Sequence, residues 1–159
     1  MNRTGFGFDL HPLVAGRPLV LGGVTVPSEV GLDGHSDADV LSHAVAEALL
    51  GALALGDLGR HFPDTDPRWR GASSLVLLAG VVELVRGRGA VVVNVDATVL
   101  AQAPRLAPHL PEMAKRLSDT LGIPVDRVSV KAKSPEGLGL VGRKEGIAAM
   151  AVVSVETRE

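Results

Sequence analysis

Asp9 and His11 stand two residues apart near the start of the chain, in GFDLHP, and His35, Ser36, Asp37, Asp39 and His43 crowd into nine residues of HSDADVLSH. In an extended strand alternate side chains share a face. Asp9 and His11 would then lie side by side with Cα atoms about 6 to 7 Å apart, which suits two ligands of one metal ion. A D-x-H pair alone is common and fits a turn before Pro12 equally well, so a third ligand has to come from elsewhere. If HSDADVLSH enters a helix, Asp39 and His43 are four apart on one face and His35 sits in the entering loop. Two imidazoles and one carboxylate make a three-ligand site with an open fourth position, the arrangement zinc uses for catalysis rather than for structure. Asp9, His11 and His43 fill it. A plainer role stays open for Asp37 and Asp39, which would also serve a helix N-terminus by capping and by opposing the dipole.

The rest of the composition narrows the chemistry. At 159 residues, with 46% hydrophobic and 21% charged, the chain reads as one globular domain over residues 1–159. A net charge of −2 and 3% aromatic residues leave neither the electrostatic footprint nor the stacking surface for nucleic acid. Cysteine is absent, so a metal must use His, Asp, Glu or water. The runs VLLAGVVELV and GIAAMAVVSV are too short to cross a bilayer and MNRTGFGFD has no apolar leader core, so no membrane partner and a cytoplasmic location are expected.

Elements must position these groups. The Ala-rich stretch predicts a helix from about Ala38 to Leu53, capped by Ser36 or Asp37. A second helix follows Ser73 or Ser74, with Arg86 and Arg88 in its last turn and Gly87 and Gly89 to stop it. GAVVVNVDATVLAQ is β-branched enough for a central strand, LAPHLPEMAKRLSDTLG reads as a helix from near Pro108–Pro111 to Gly122, and RVSVKAKS and GIAAMAVVSVE read as strands. The order is a β opening, helix, helix, β, helix, β, β. LGRHFPDTDPRWRGA is the longest connection, a length that often carries function. GLGLVG, residues 137–142, matches G-x-G-x-x-G, but too little chain follows for a dinucleotide fold, and Arg143-Lys144-Glu145 does not fit a P-loop. The glycines read as a tight hairpin-like turn with Arg143 as an anion partner.

Taken in order, GFDLH, HSDADVLSHA, GDLGRHFPDTDP, VDATVLAQAPRLAPH and VSVKAKSPEGLGLVGRKEGI resemble the 2-C-methyl-D-erythritol 2,4-cyclodiphosphate synthase family over nearly the whole chain. The resemblance implies an α+β subunit, a mixed β-sheet covered by helices on one face, assembled as a homotrimer with active sites between subunits. It implies conversion of 4-diphosphocytidyl-2-C-methyl-D-erythritol 2-phosphate to the cyclic diphosphate with release of CMP, in non-mevalonate isoprenoid synthesis. By the same resemblance Asp9, His11 and His43 hold zinc, one ion per subunit, and Glu136 holds a second ion, magnesium or manganese, that arrives with substrate. His35 and Ser134 correspond to transition-state stabilisers. Ser36, Asp57, Gly59, Phe62, Asp64 and Asp66 correspond to the methylerythritol phosphate site. Ala101, Gln102, Ala103, Pro104, Arg105 and Leu106 correspond to a neighbouring subunit's cytosine pocket, Leu140 and Arg143 complete the carried-over set, and Lys133, where the chain departs from the pattern, is expected to reach a phosphate directly. The chain departs from the family pattern at Lys133-Ser134-Pro135, where many members carry two threonines, and at Ala38 and Lys144, where glycine is usual. Two other readings are an isoprenoid-diphosphate-sensing trimer using Arg143 and Glu145, and a metal-dependent phosphohydrolase. A hydrolase would release a linear product, so product analysis separates them.

Overall fold

A computed structural model describes residues 1–158. Its first strand, β1 (Asn2–Ala15), runs antiparallel to the last, β7 (Gly146–Thr157), with Asn2 opposite Glu156 and Pro12 opposite Gly146. On the far side of β7 lies β5 (Ala90–Leu100), antiparallel to it, and β6 (Val128–Lys133) pairs parallel with β5. A parallel neighbour needs a crossover, which α4 (Leu110–Leu121) supplies. β2 (Leu19–Leu21) and β3 (Val24–Val26) form a separate hairpin, and β4 (Val30–Leu32) closes the other edge to give the order β4-β1-β7-β5-β6. The α+β class and the mixed sheet are as expected.

The two faces of β1 are unlike. Gly5 and Gly7 face α1 (Val40–Ala52), whose backbone lies so close that a Cβ at either glycine would come 1.9 Å from a carbonyl oxygen of Ala48 or Ala44. Asp9 and His11, next along the same face, therefore project beside α1. The alternate residues Phe6, Phe8 and Leu10 point to the uncovered side, with Phe6 63% and Phe8 52% exposed. Helix α1 is buried almost all round, between the sheet and α3 (Ser74–Gly87). Its Leu41, Leu49 and Leu50 are wholly buried, each contributing about 2 kcal/mol.

Several expected boundaries move, for identifiable reasons. Helix α1 starts at Val40 because Ala38 has φ 58°, a left-handed conformation no helix continues, and Asp39 rather than Ser36 or Asp37 is the N-cap. The Asp39 carboxylate accepts from Ser42 N and Oγ and from the amides of Gly22 and Gly23, so one buried acid ties the β2–β3 turn to the helix. Burial pushes its pKa up despite these four bonds. Asp37 caps a different helix: its carboxylate accepts from Ser74 N at the start of α3, where Ser73 makes no capping bond. The 58–72 connection contains a helical turn, α2 (Leu58–His61), and a 3₁₀ turn at Pro67–Trp69. The GLGLVG stretch is not a hairpin turn. Residues Gly139–Gly142 form a helical turn, α5, folded so tightly that a Cβ on Gly142 would meet the Gly137 carbonyl carbon at 2.2 Å.

Candidate active site and metal centre

Asp9, His11 and His43 each offer one ligand atom, all within 4.8 Å of one another. Asp9 Oδ2 lies 3.2 Å from His11 Nε2 and 2.8 Å from His43 Nδ1. Tetrahedral ligands about 2.0 to 2.2 Å from a zinc ion are themselves separated by about 3.4 Å, so only small adjustments would seat one. The outer nitrogens are committed elsewhere. His11 Nδ1 donates to the Asp33 carbonyl at 2.7 Å, while His43 Nε2 lies 2.8 Å from Ser74 Oγ and 3.3 Å from Ser36 Oγ. Ser74 Oγ in turn donates a very short bond to Asp37. With Nδ1 of His11 donating to the Asp33 carbonyl, its Nε2 can face the Asp9 carboxylate favourably only with a cation between them, either a proton or a metal. Burial alone would raise the Asp9 pKa, but bonds from His11 and His43 outweigh it and hold the carboxyl well below its usual range. The Asp9 bond likewise holds His11 above its ordinary value, against the opposing effect of burial. The donor set and its outer partners fit a divalent ion.

His11 and His43 border a cleft of about 480 Å³, whose wall includes His35, Ser36, Gly59, Phe62 and Asp64. His35 Nε2 donates to the Asp66 carbonyl at 3.0 Å, which sets the ring. Phe62 meets Trp69 edge-on, with centroids 5.1 Å apart, and rests where Gly80 of α3 leaves space. The Trp69 indole N–H is buried with no partner among the described residues. The wall thus offers an apolar floor of Phe62, Trp69, Leu58 and Leu77 beside a cation site, which fits a small ligand with a carbon body and an anionic end.

The sequence matches the YgbB family profile over residues 2–156. The chain belongs to the YgbB family. It is 59% identical over 155 residues to the 2-C-methyl-D-erythritol 2,4-cyclodiphosphate synthase of Salinibacter ruber, covering 98% of this chain and 99% of that one. Among solved structures it resembles the bifunctional IspDF from Campylobacter jejuni, with a TM-score of 0.95 and 40% identity over 100% of this chain but 43% of that protein. It also resembles a 2C-methyl-D-erythritol-2,4-cyclodiphosphate synthase in a CDP-bound form, with a TM-score of 0.89 and 42% identity over 97% of this chain and 100% of that one.

The residues suggested by the YgbB resemblance fall in three places. His11, His35, Ser36, His43, Gly59, Phe62 and Asp64 line the cleft, and Asp9 stands behind it against His11 and His43. Asp57 and Asp66 sit beside it with their carboxylates occupied, Asp57 capping α2 through Arg60 N and Asp66 holding the Arg68 backbone and guanidinium. The second group lies at the carboxyl ends of β5 and β6. There Ala101 N donates to the Lys133 carbonyl, Gln102 Oε1 accepts from Gly137 N, and Ser134 Oγ accepts from Glu136 N. Ala103 and Pro104, joined by a cis peptide, border a hollow with Lys144, whereas Leu106 is buried in the core. Leu140 and Arg143 form the third group, around a depression with Leu10 and Pro12, and Arg143 pairs with Glu145 at 2.8 Å. Residue spacing did not reveal Ser74, Trp69, Glu47, Leu58 or Leu77. Glu47 was visible only as an acid one turn beyond His43, and it accepts from Leu58 N to fix the cleft's far wall.

Proposed function

We propose that this chain is a 2-C-methyl-D-erythritol 2,4-cyclodiphosphate synthase, acting in non-mevalonate isoprenoid biosynthesis as a phosphorus–oxygen lyase that releases CMP. The observation that carries the reading is the Asp9–His11–His43 cluster opening into a cleft walled by His35, Ser36 and the apolar Phe62–Trp69 pair. In 4-diphosphocytidyl-2-C-methyl-D-erythritol 2-phosphate, an oxygen of the 2-phosphate attacks the β-phosphorus. The bond from that phosphorus to the bridging oxygen breaks, and the electron pair leaves with CMP. Both reacting groups are anionic, so catalysis consists mainly of positioning and charge neutralisation. A zinc ion on Asp9, His11 and His43 would supply Lewis acidity at a β-phosphate oxygen, and magnesium or manganese on Glu136 would offset charge on the departing α-phosphate.

The protein's own groups do the remaining work. The Phe62–Trp69 floor receives the methylerythritol carbons, and Ser36 and His35 hold the 2-phosphate near its target. His35 and Ser134 serve as donors to the reacting phosphates, with Lys133 adding charge. Ala101 through Leu106 read the cytosine by backbone groups, and Arg143 with Leu140 completes the surroundings. Within one chain Ser134, Glu136 and the 101–106 loop do not border the cleft that holds His43. A homotrimer whose neighbouring subunits bring the two groups together accounts for that separation, and the apolar outer sheet face of Phe6 and Phe8 offers the surface for it.

The test is product analysis with the purified protein, the cytidyl substrate, zinc and magnesium, read by phosphorus NMR. One CMP per cyclic diphosphate is expected, with His43→Ala losing both bound zinc and turnover while keeping its fold. A linear phosphate product, or full turnover by His43→Ala, would overturn the assignment.

A further inference from the structure

We propose that Arg17, which lies outside the cleft, is a positioning residue that braces the wall formed by Asp33, Gly34, His35 and Ser36. This wall is thin. The cleft lies on one side, and a second hollow of about 620 Å³, bordered by Arg17, Asp33, Asp37 and Arg70, lies on the other, so apolar packing does not back the segment. Its rigidity has to come from hydrogen bonds. Of the three wall carbonyls at residues 34–36, His35 O accepts from Gly71 N, and the other two are held by one guanidinium: Arg17 Nη1 donates to Gly34 O at 3.0 Å and Nη2 to Ser36 O at 2.9 Å. Nη1 also lies 3.3 Å from Asp33 Oδ1.

A second, independent feature fixes where that guanidinium starts. Gly31 of β4 presses on the chain at Arg17 and Pro18 so closely that a Cβ there would come 2.2 Å from the Arg17 carbonyl oxygen. The arginine backbone is therefore seated on the strand that leads directly into the wall, and its planar fork spans the turn. A lysine ammonium is a point donor and cannot span two carbonyls in this way.

The wall carries three groups that matter: the Asp33 carbonyl that orients His11, and the His35 and Ser36 side chains at the cleft. Loosening it acts on metal binding and on turnover together. The turnover arm rests on the proposed reaction, whereas the metal arm does not. Arg17→Ala is expected to keep its circular dichroism, to bind zinc about tenfold more weakly in chelator competition, and to lose about 10- to 100-fold in kcat/KM. Guanidinium chloride at about 20 mM, far below denaturing concentrations, is expected to restore much of both, methylammonium chloride little, and Arg17→Lys to remain close to Arg17→Ala. Unchanged zinc affinity in Arg17→Ala would overturn the proposal, as would a loss that guanidinium fails to rescue. If the wild-type protein itself did not cyclise the substrate, the functional reading would fall while zinc affinity and its rescue still decided the role of Arg17.

Discussion

At the scale of the residue, the Asp9–His11–His43 cluster has a pH dependence with two opposite signs. His11 must lose its proton before Nε2 can coordinate, and Asp9 holds that proton more tightly than usual. Apparent zinc affinity is therefore expected to fall about tenfold per unit as pH drops through the raised His11 pKa, checked by chelator competition between about pH 8 and 6. In the metal-free protein the same proton is stabilising. A raised histidine contributes fully below its ordinary 6.5 and loses that contribution as pH rises through its folded value, whereas the lowered Asp9 contributes above 3.8 and loses it as pH falls. Chelated protein should thus gain most from the pair in the mildly acidic window between those values. Thermal melts of wild type and Asp9→Asn check this, since the variant is expected to lose the maximum. That Asp9, His11 and His43 would come together was legible because two share a strand face and the third is a histidine on an otherwise apolar helix. Their outer partners were not: Ser74 stands 31 positions from His43, and no local spacing links them.

At the scale of the element, the contact between β1 and α1 places the cluster, since it sets how far Asp9 stands from His43. Gly7→Ala drives a methyl group into the Ala44 carbonyl, and the helix must move away. A loss of about 3 kcal/mol or more is expected in urea unfolding, with reduced zinc binding. Gly87→Ala in the last turn of α3 meets nothing within 4 Å and is expected to be neutral or slightly stabilising. Long periodic segments could be read directly: α3, β5 and β7 lie where their apolar spacing puts them. The three-residue strands β2, β3 and β4 are too short to show a period, and α5 was hidden because four residues rich in glycine carry turn chemistry whichever way they fold. The start of α1 was missed by two residues because a non-glycine residue, Ala38, occupies a left-handed conformation that sequence patterns assign to glycine.

At the scale of the whole molecule, β1 is a strand with two occupations, glycine, Asp9 and His11 toward the helices, phenylalanine toward the open side. Phe8→Glu places a charge on that open side without touching Asp9 or His11. If the face is a subunit interface, light scattering should show the variant dissociated and turnover should collapse, while each chain still binds zinc; a trimer that survives the charge would place the interface elsewhere. The open face was not read from the sequence, because an exposed phenylalanine is unusual only once the sheet is known to be covered on one side. The cleft wall contains the chain's sole tryptophan, and there is no tyrosine anywhere. Light at the red edge of the aromatic band is therefore absorbed at one place, and the emission colour and intensity of unlabelled protein report on Trp69 alone. Rapid mixing with substrate analogues gives the filling of the cleft as an optical transient, separable in time from the appearance of CMP.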